Sequence, residues 1–383
     1  MNDRTKGIPS NVVLAMMAAT ALVAARALLP VKGPPDGDFP LFLIPWLDTI
    51  RERGLASISG EFSMYTPPYI YLLNIASLIE SAVGPVTAVK LLNIPFVAAL
   101  AVGIGAIVRQ TTGDWDRAKL ATAIGIVSPT LLLNAFGYGQ CDVIYTSFLV
   151  WFVYLAMRNK PALACVLFGL AVSFKLQAMF VSPLLIALLL WRRMKLWHLA
   201  LIPITYIVMM VPAAIAGRPW ADLLTIYFHQ GEFTHSLSMN APNPWWLLRG
   251  LVDYRIGVAV GLAIGVIAGA LIVWQSVRLP KDVISILLVA TASAAILPYV
   301  LPKMHERYFF VADALTIALA FSRPRLWPAA VLIQAGSLIA SISYFALWGT
   351  AALAFVPTTL GVGILVYELM NRPTEEQARS AQA

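Results

Sequence analysis

Twelve apolar stretches punctuate this chain, at roughly 10–30, 88–108, 119–136, 143–158, 161–174, 177–191, 197–216, 255–276, 283–301, 308–321, 327–347 and 350–370. A helix crosses the hydrocarbon core of a bilayer in about 20 mostly apolar residues, and in fewer where it borders a cavity. Within a bilayer the backbone must satisfy its own hydrogen bonds, and apolar runs of this length do so as helices. We therefore expect an all-α, polytopic integral membrane protein with about 12 transmembrane helices. Of the 383 residues, 60% are hydrophobic and 12% charged, too few charges to cover a soluble domain.

Charge placement orients the chain. Lys and Arg number 27 against 19 Asp and Glu. The excess is not a nucleic-acid signal, because the basic residues sit in short breaks between apolar runs. Threading the runs alternately puts about sixteen of the 27 on one side, including Arg4, Lys6, Arg109–Lys119, Arg192, Arg193, Arg323 and Arg325. The positive-inside rule makes that side the cytoplasm. Both termini are expected there, 1–9 as a short tail and 373–383 as a disordered one. The apolar run near the N-terminus is long for a signal peptide, so we read it as an uncleaved first helix. The reading is a single membrane domain over 1–383, with large external segments at 31–87 and 217–254. Segment 67–84 carries Asn74 and Glu80, and counting it as a span would turn the basic loops outward. It reads as an interfacial helix, as does 38–54, where Phe42, Pro45, Trp46 and Ile50 recur at helical spacing. Cys141 and Cys165 lack CxxC spacing and suggest neither a disulfide framework nor a zinc site. Cys141 reads as incidental in a polar loop.

Ionisable groups within or beyond the membrane need a reason. In this topology they collect at one outer level: Asp36, Asp38, Tyr138, Gln140, Asp142, Lys175, Lys303, His305, Glu306, Arg307 and Asp313. Each has a plain alternative. Asp36 or Asp38 can cap the interfacial helix, Lys175 can snorkel to the interface, and Glu306 with Arg307 can be a surface ion pair of little worth. Asp313 lies about two turns beyond Glu306 within an apolar helix. Their convergence suits an anionic, hydroxyl-rich ligand.

The order of motifs carries a resemblance. Gly37-Asp38-Phe39, a Trp-bearing amphipathic segment, and Tyr65-Thr66-Pro67-Pro68-Tyr69 together resemble the first luminal loop of GT-C glycosyltransferases, membrane enzymes that use polyprenyl-phosphate sugars. Gly137-Tyr138-Gly139-Gln140-Cys141-Asp142 resembles their second luminal loop. Phe174-Lys175-Leu176-Gln177 is similar to their Lys-Gln motif, with Leu176 interposed. Met304-His305-Glu306-Arg307, continuing to Asp313, is similar to their His-Glu motif. With Asn240-Ala241-Pro242-Asn243-Pro244-Trp245, the set most resembles bacterial proteins described as GPI-mannosyltransferase-like, over about 10–370. Phe39 stands where Tyr is common, and the long luminal loops of the eukaryotic enzymes are missing.

The resemblance implies an inverting transfer of a hexose, mannose favoured, from a polyprenyl-phosphate donor to a lipid-linked or cell-envelope glycan. The reaction would take place on the non-cytoplasmic face of a bacterial inner membrane, a setting that the lack of any Asn-x-Ser/Thr sequon also favours. It assigns the general base to Asp38, with Asp36 as rival, and the donor phosphate to Lys175, Arg307 and His305. Tyr138, Gln140, Asp142, Gln177, Glu306 and Asp313 would orient the sugar or those cations. Tyr65, Asn240, Asn243 and Trp245 would belong to the acceptor loops. We expect a monomer whose partners are donor, acceptor and bilayer, with no nucleic acid, cofactor or obligatory metal. A divalent cation shared by Asp36, Asp38 and Asp142 is the alternative. The rival function, a lipid or sugar transporter or flippase, usually brings internal repeats, which the sequence lacks.

Overall fold

A computed structural model describes residues 9–35, 37–232, 235–346 and 351–373; Asp36 and the expected tail beyond 373 lie outside them. Of the described residues, 81% are helical. Helix α1 (Ser10–Leu28) leads through a π-helical turn (Phe39–Leu43) to α2 (Ile44–Arg53) and α3 (Pro67–Val83). Then come α4 (Pro85–Leu91), α5 (Ile94–Thr112), α6 (Trp115–Val127) and α7 (Pro129–Leu132), which runs into a second π-helical turn (Leu133–Tyr138). After α8 (Asp142–Met157) and α9 (Pro161–Phe174), a 3₁₀ turn (Leu176–Val181) precedes α10 (Ser182–Leu190), α11 (Leu201–Ile215) and α12 (Trp220–Glu232). The remainder is β1 (Ser238–Met239), α13 (Pro244–Leu248), α14 (Tyr254–Arg278), α15 (Val283–Val300), β2 (Met304–His305), α16 (Phe310–Ser322), α17 (Trp327–Ala346) and α18 (Ala351–Asn371).

Local chemistry explains many boundaries. Proline opens α3, α4, α7, α9 and α13, where its missing N–H costs nothing. Asp114, Asp253 and Asp282 cap α6, α14 and α15 through backbone N–H groups. Asp38 precedes the first π-helical turn, yet its side chain makes no capping hydrogen bond, so the plain capping role does not apply.

The protein is an all-α polytopic membrane protein. Among the described residues, seven helices or helix pairs are long and apolar enough to cross a bilayer. The pair Trp115–Val127 and Pro129–Tyr138, bent by 46°, makes eight at most. Pro129 is the cause of the bend. Asp142–Met157, Pro161–Phe174, Leu176–Leu190 and Phe310–Ser322 are apolar but shorter. Helix α15 is buried along most of its length, whereas α1 and α14 present Leu22, Val23, Val266 and Leu271 outward.

The bundle has two chemically distinct ends. At one, Ser10 Oγ donates to Asp116 (2.6 Å), Arg193 to the Lys281 carbonyl (2.5 Å), Arg372 to Asp282 (2.6 Å) and Arg325 to Glu368 (2.6 and 2.7 Å). The other end is organised by α14. Its glycines at 257, 261 and 265 receive Leu237, then Pro302 with Trp245, then Leu301; a Cβ at any of them would collide with these neighbours. Spacing that often marks helix dimerisation here seats the protein's own loops. It brings β1 and β2 together as a short parallel ribbon, Ser238 facing Met304 and Met239 facing His305.

Candidate active site

A cavity of about 540 Å³ opens at this second end. Segments distant in sequence line it, among them the first π-helical turn with α2, the Met64–Tyr65 loop, the second π-helical turn's exit, the start of the 3₁₀ turn, the β1–β2 ribbon, α12 and α17. Of the residues singled out from sequence, Asp38, Tyr65, Gln140, Lys175, Gln177, Asn240, His305, Glu306 and Arg307 face it.

Gly37 and Gly139 make the convergence possible. A Cβ on Gly37 would lie 2.6 Å from the Tyr344 hydroxyl, which accepts from the Asp38 backbone N–H at 3.2 Å. Gly139 has φ +63°, and a Cβ there would meet the Phe39 ring at 2.8 Å. Glycine adopts this backbone at no steric cost. The chain can then turn so that Gln140 Nε2 donates to Asp38 Oδ2 at 2.8 Å, while Gln140 Oε1 accepts from the Tyr65 hydroxyl at 2.8 Å.

Arg307 is the hub. Its Nη1 lies 3.1 Å from Glu306 Oε1 and 3.2 Å from Asp38 Oδ2, and its Nε lies 3.3 Å from Asp142 Oδ2. Tyr138 lies beneath the guanidinium, ring centre 5.7 Å away, and stacks on Tyr344. Asp142 is fully buried behind the cavity wall at the start of α8, where it pairs with Lys175 and accepts from Asn134. The rings of Tyr65, Tyr145 and Tyr308 surround the Lys175 ammonium at 5.8, 6.0 and 5.4 Å. Lys175 is extended between α9 and the 3₁₀ turn and only 2% exposed. It does not snorkel; it points inward to an acid. Nor are Glu306 and Arg307 a surface pair, since both are buried. Burial works to raise the Glu306 carboxyl, but the hydrogen bond to His305 and the Arg307 charge prevail and hold it down at about 2. His305 stays partly exposed, with Nδ1 3.7 Å from Glu306 Oε2.

A carboxylate beside an open cavity, with cations arrayed on one wall, is suited to group transfer from an anionic donor. The family model for glycosyltransferase family 87 matches residues 63–302, more than half of the chain. The chain belongs to glycosyltransferase family 87. A comparison with curated proteins finds no match. The matched stretch of this glycosyltransferase includes Tyr65, Gln140, Asp142, Lys175, Gln177 and Asn240; Asp38 and Arg307 flank it on either side.

Asp313, Asn243 and Trp245, singled out from sequence, do not line the cavity. Asp313 is buried between helices, where its Oδ1 accepts from Ser337 at 2.9 Å. Its helix begins only at Phe310, so the expected continuous face from Glu306 is interrupted. Asn243 donates to the carbonyls of Pro298 and Leu301, and Trp245 Nε1 to that of Val300. Both anchor the segment around α13 to the end of α15, whose last carbonyls have no partner within the helix. Cys141, expected to be incidental in a polar loop, is fully buried. Tyr344, Tyr227 and Gln230 also line the cavity of this glycosyltransferase. A single tyrosine in the apolar sequence of α17 carries no pattern that would have marked it.

Proposed function

We propose that this glycosyltransferase transfers a hexose, mannose in the favoured reading, from a membrane-embedded polyprenyl phosphate to a hydroxyl of a lipid-linked or cell-envelope glycan, with inversion. The observation that carries the reading is Asp38: its carboxylate opens on the cavity while one oxygen is held by Gln140 and Arg307. The acceptor oxygen attacks the anomeric carbon, and the bond from that carbon to the phosphate oxygen breaks. Asp38 takes the hydroxyl proton as the new bond forms. Polyprenyl phosphate departs with the electron pair and needs no protonation. Arg307, His305 and Lys175 line the cavity and stabilise the growing negative charge. Lys175 has three N–H donors and spends one on Asp142. Gln177, Glu306 and Asn240 face the space for sugar hydroxyls.

No metal enters this mechanism. Arg307 stands between Asp38 and Asp142, its nitrogens 3.2 and 3.3 Å from their oxygens, and supplies positive charge between those two carboxylates. Family membership argues against the transporter reading, and the resemblance to GPI-mannosyltransferase-like proteins favours mannose. The test is a panel of radiolabelled polyprenyl-phosphate sugars offered to the purified protein with a lipid extract of the host membrane. Mannose should be incorporated, with inverted configuration. Incorporation of another sugar alone would replace mannose, and none from any donor would remove the proposed donor class.

We place the protein in a bacterial inner membrane with twelve spans, the four short apolar helices and the bent pair included. Residues 31–87 and 217–254 lie outside, both termini in the cytoplasm. The end rich in Arg193, Arg325 and Arg372 contacts then faces inward. A cysteine at position 113 should be labelled only from the cytoplasmic side; labelling from outside would invert the orientation and the face of the reaction.

A further inference from the structure

Two polar residues with no place in the cavity lining hold the cavity's shape. Lys90, in α4, is fully buried. Its Nζ donates to the carbonyls of Leu28 and Val31, at the end of α1 and just beyond it. A cation there satisfies carbonyls that the helix leaves open and meets the negative end of its dipole. The same ammonium lies 5.3 Å from the centre of the Phe39 ring, and Phe39 follows Asp38 directly. Lys90 also packs through Cγ where a side chain on Gly139 would sit, 2.9 Å from that position. Asn93, one turn on, donates through Nδ2 to the carbonyls of Ala135 (2.8 Å) and Gln140 (3.2 Å). The α4–α5 corner thus grips the segment carrying the carboxylate and the segment carrying the amide that orients it.

We infer that Lys90 and Asn93 are positioning residues that set Asp38 against Gln140, a role that rests on Asp38 being the proposed base. The physical case is one of cost. A fully buried lysine met by two carbonyls and an aromatic ring carries a desolvation penalty that an apolar residue would avoid. Packing alone gives no reason to keep it. Closing the gap between the α1 end, Phe39 and Gly139 does, because each is a neighbour of the reacting carboxylate or its partner. Small displacements there matter, since transfer needs the acceptor hydroxyl within hydrogen-bond reach of Asp38.

The test uses Lys90→Met, which keeps the stem and removes the ammonium, and Asn93→Ala, which removes the amide and leaves the buried cation in place. Each is assayed alone and in the Asp38→Asn background, with the polyprenyl-phosphate sugar that the panel selects. Each single variant should lower kcat roughly 10–100-fold while the KM for donor moves little. Neither should add a loss once Asp38 is Asn, because the same geometry is then already without its base. Unchanged kcat in both variants, or losses that multiply in full onto Asp38→Asn, would overturn the inference. Should Lys90→Met fail to fold in detergent, Asn93→Ala decides by the same criterion. If Asp38→Asn is itself fully active, the base assignment has failed, a result separate from either outcome above.

Discussion

Asp38→Asn is expected to fold, bind donor and lose turnover by roughly 10²–10⁴-fold, the usual cost of removing a general base. The substitution is well matched to the geometry. Asp38 Oδ2 accepts from Gln140 Nε2 and faces Arg307 Nη1 as an ion pair, and an Asn carbonyl oxygen can accept from Gln140 in the same place. What it lacks is basicity. Capping does not complicate the result, because the Asp38 side chain caps nothing. Donor binding by isothermal titration should therefore persist while single-turnover transfer collapses. Asp36→Asn is the control, with activity near that of the unaltered protein. If Asp38→Asn is instead fully active and Asp36→Asn is not, the base is Asp36. Full activity in both and in the double variant would remove the first-loop base.

Arg307→Met should produce the largest combined loss of stability and turnover. The guanidinium faces Glu306, Asp38 and Asp142 at 3.1 to 3.3 Å. Removing it leaves three carboxylates close together with little water. Breaking one buried pair commonly costs about 3–5 kcal/mol, so the variant should unfold at markedly lower temperature in detergent, and whatever folds should be inactive. Arg307→Lys is the informative companion. An ammonium carries the charge but cannot span three carboxylates as a planar fork does. It should recover part of the stability and little of the turnover. Lys175→Met should be milder in stability, because Asp142 would keep Arg307 and Asn134. Arg307→Lys with unaltered kcat and melting temperature would show that the hub is not needed.

These two substitutions fall on residues that were legible in the sequence for different reasons. Asp38, Lys175 and Arg307 stood out because ionisable groups are costly at membrane depth and recurred at one level of the threaded chain. Their partners were another matter. That Lys175 turns to Asp142 rather than to the interface depends on an extended break between α9 and the 3₁₀ turn, which brings an acid 33 positions away into reach. Lys90 and Asn93 gave no signal, since a lone lysine between apolar residues reads as an interfacial anchor. Asn243 and Trp245 sat in a conspicuous motif, yet they serve the backbone carbonyls of α15 rather than the cavity.

From the sequence alone came an all-α membrane bundle, the grouping of basic loops at one end and the polar residues at the other, and the glycosyltransferase class. The first two are set by periodicity, length and composition, which act along the chain and need no knowledge of neighbours; the class rested on the resemblance of its motifs. That Asp38 opens on the cavity, which cation it faces, and which conspicuous residues are merely anchors were decided only in three dimensions. Hydrogen bonds and ion pairs in a dry interior are settled by direction and by distances near 3 Å, and those depend on where a π-helical turn, a glycine at φ +63° or an α4–α5 corner places each side chain.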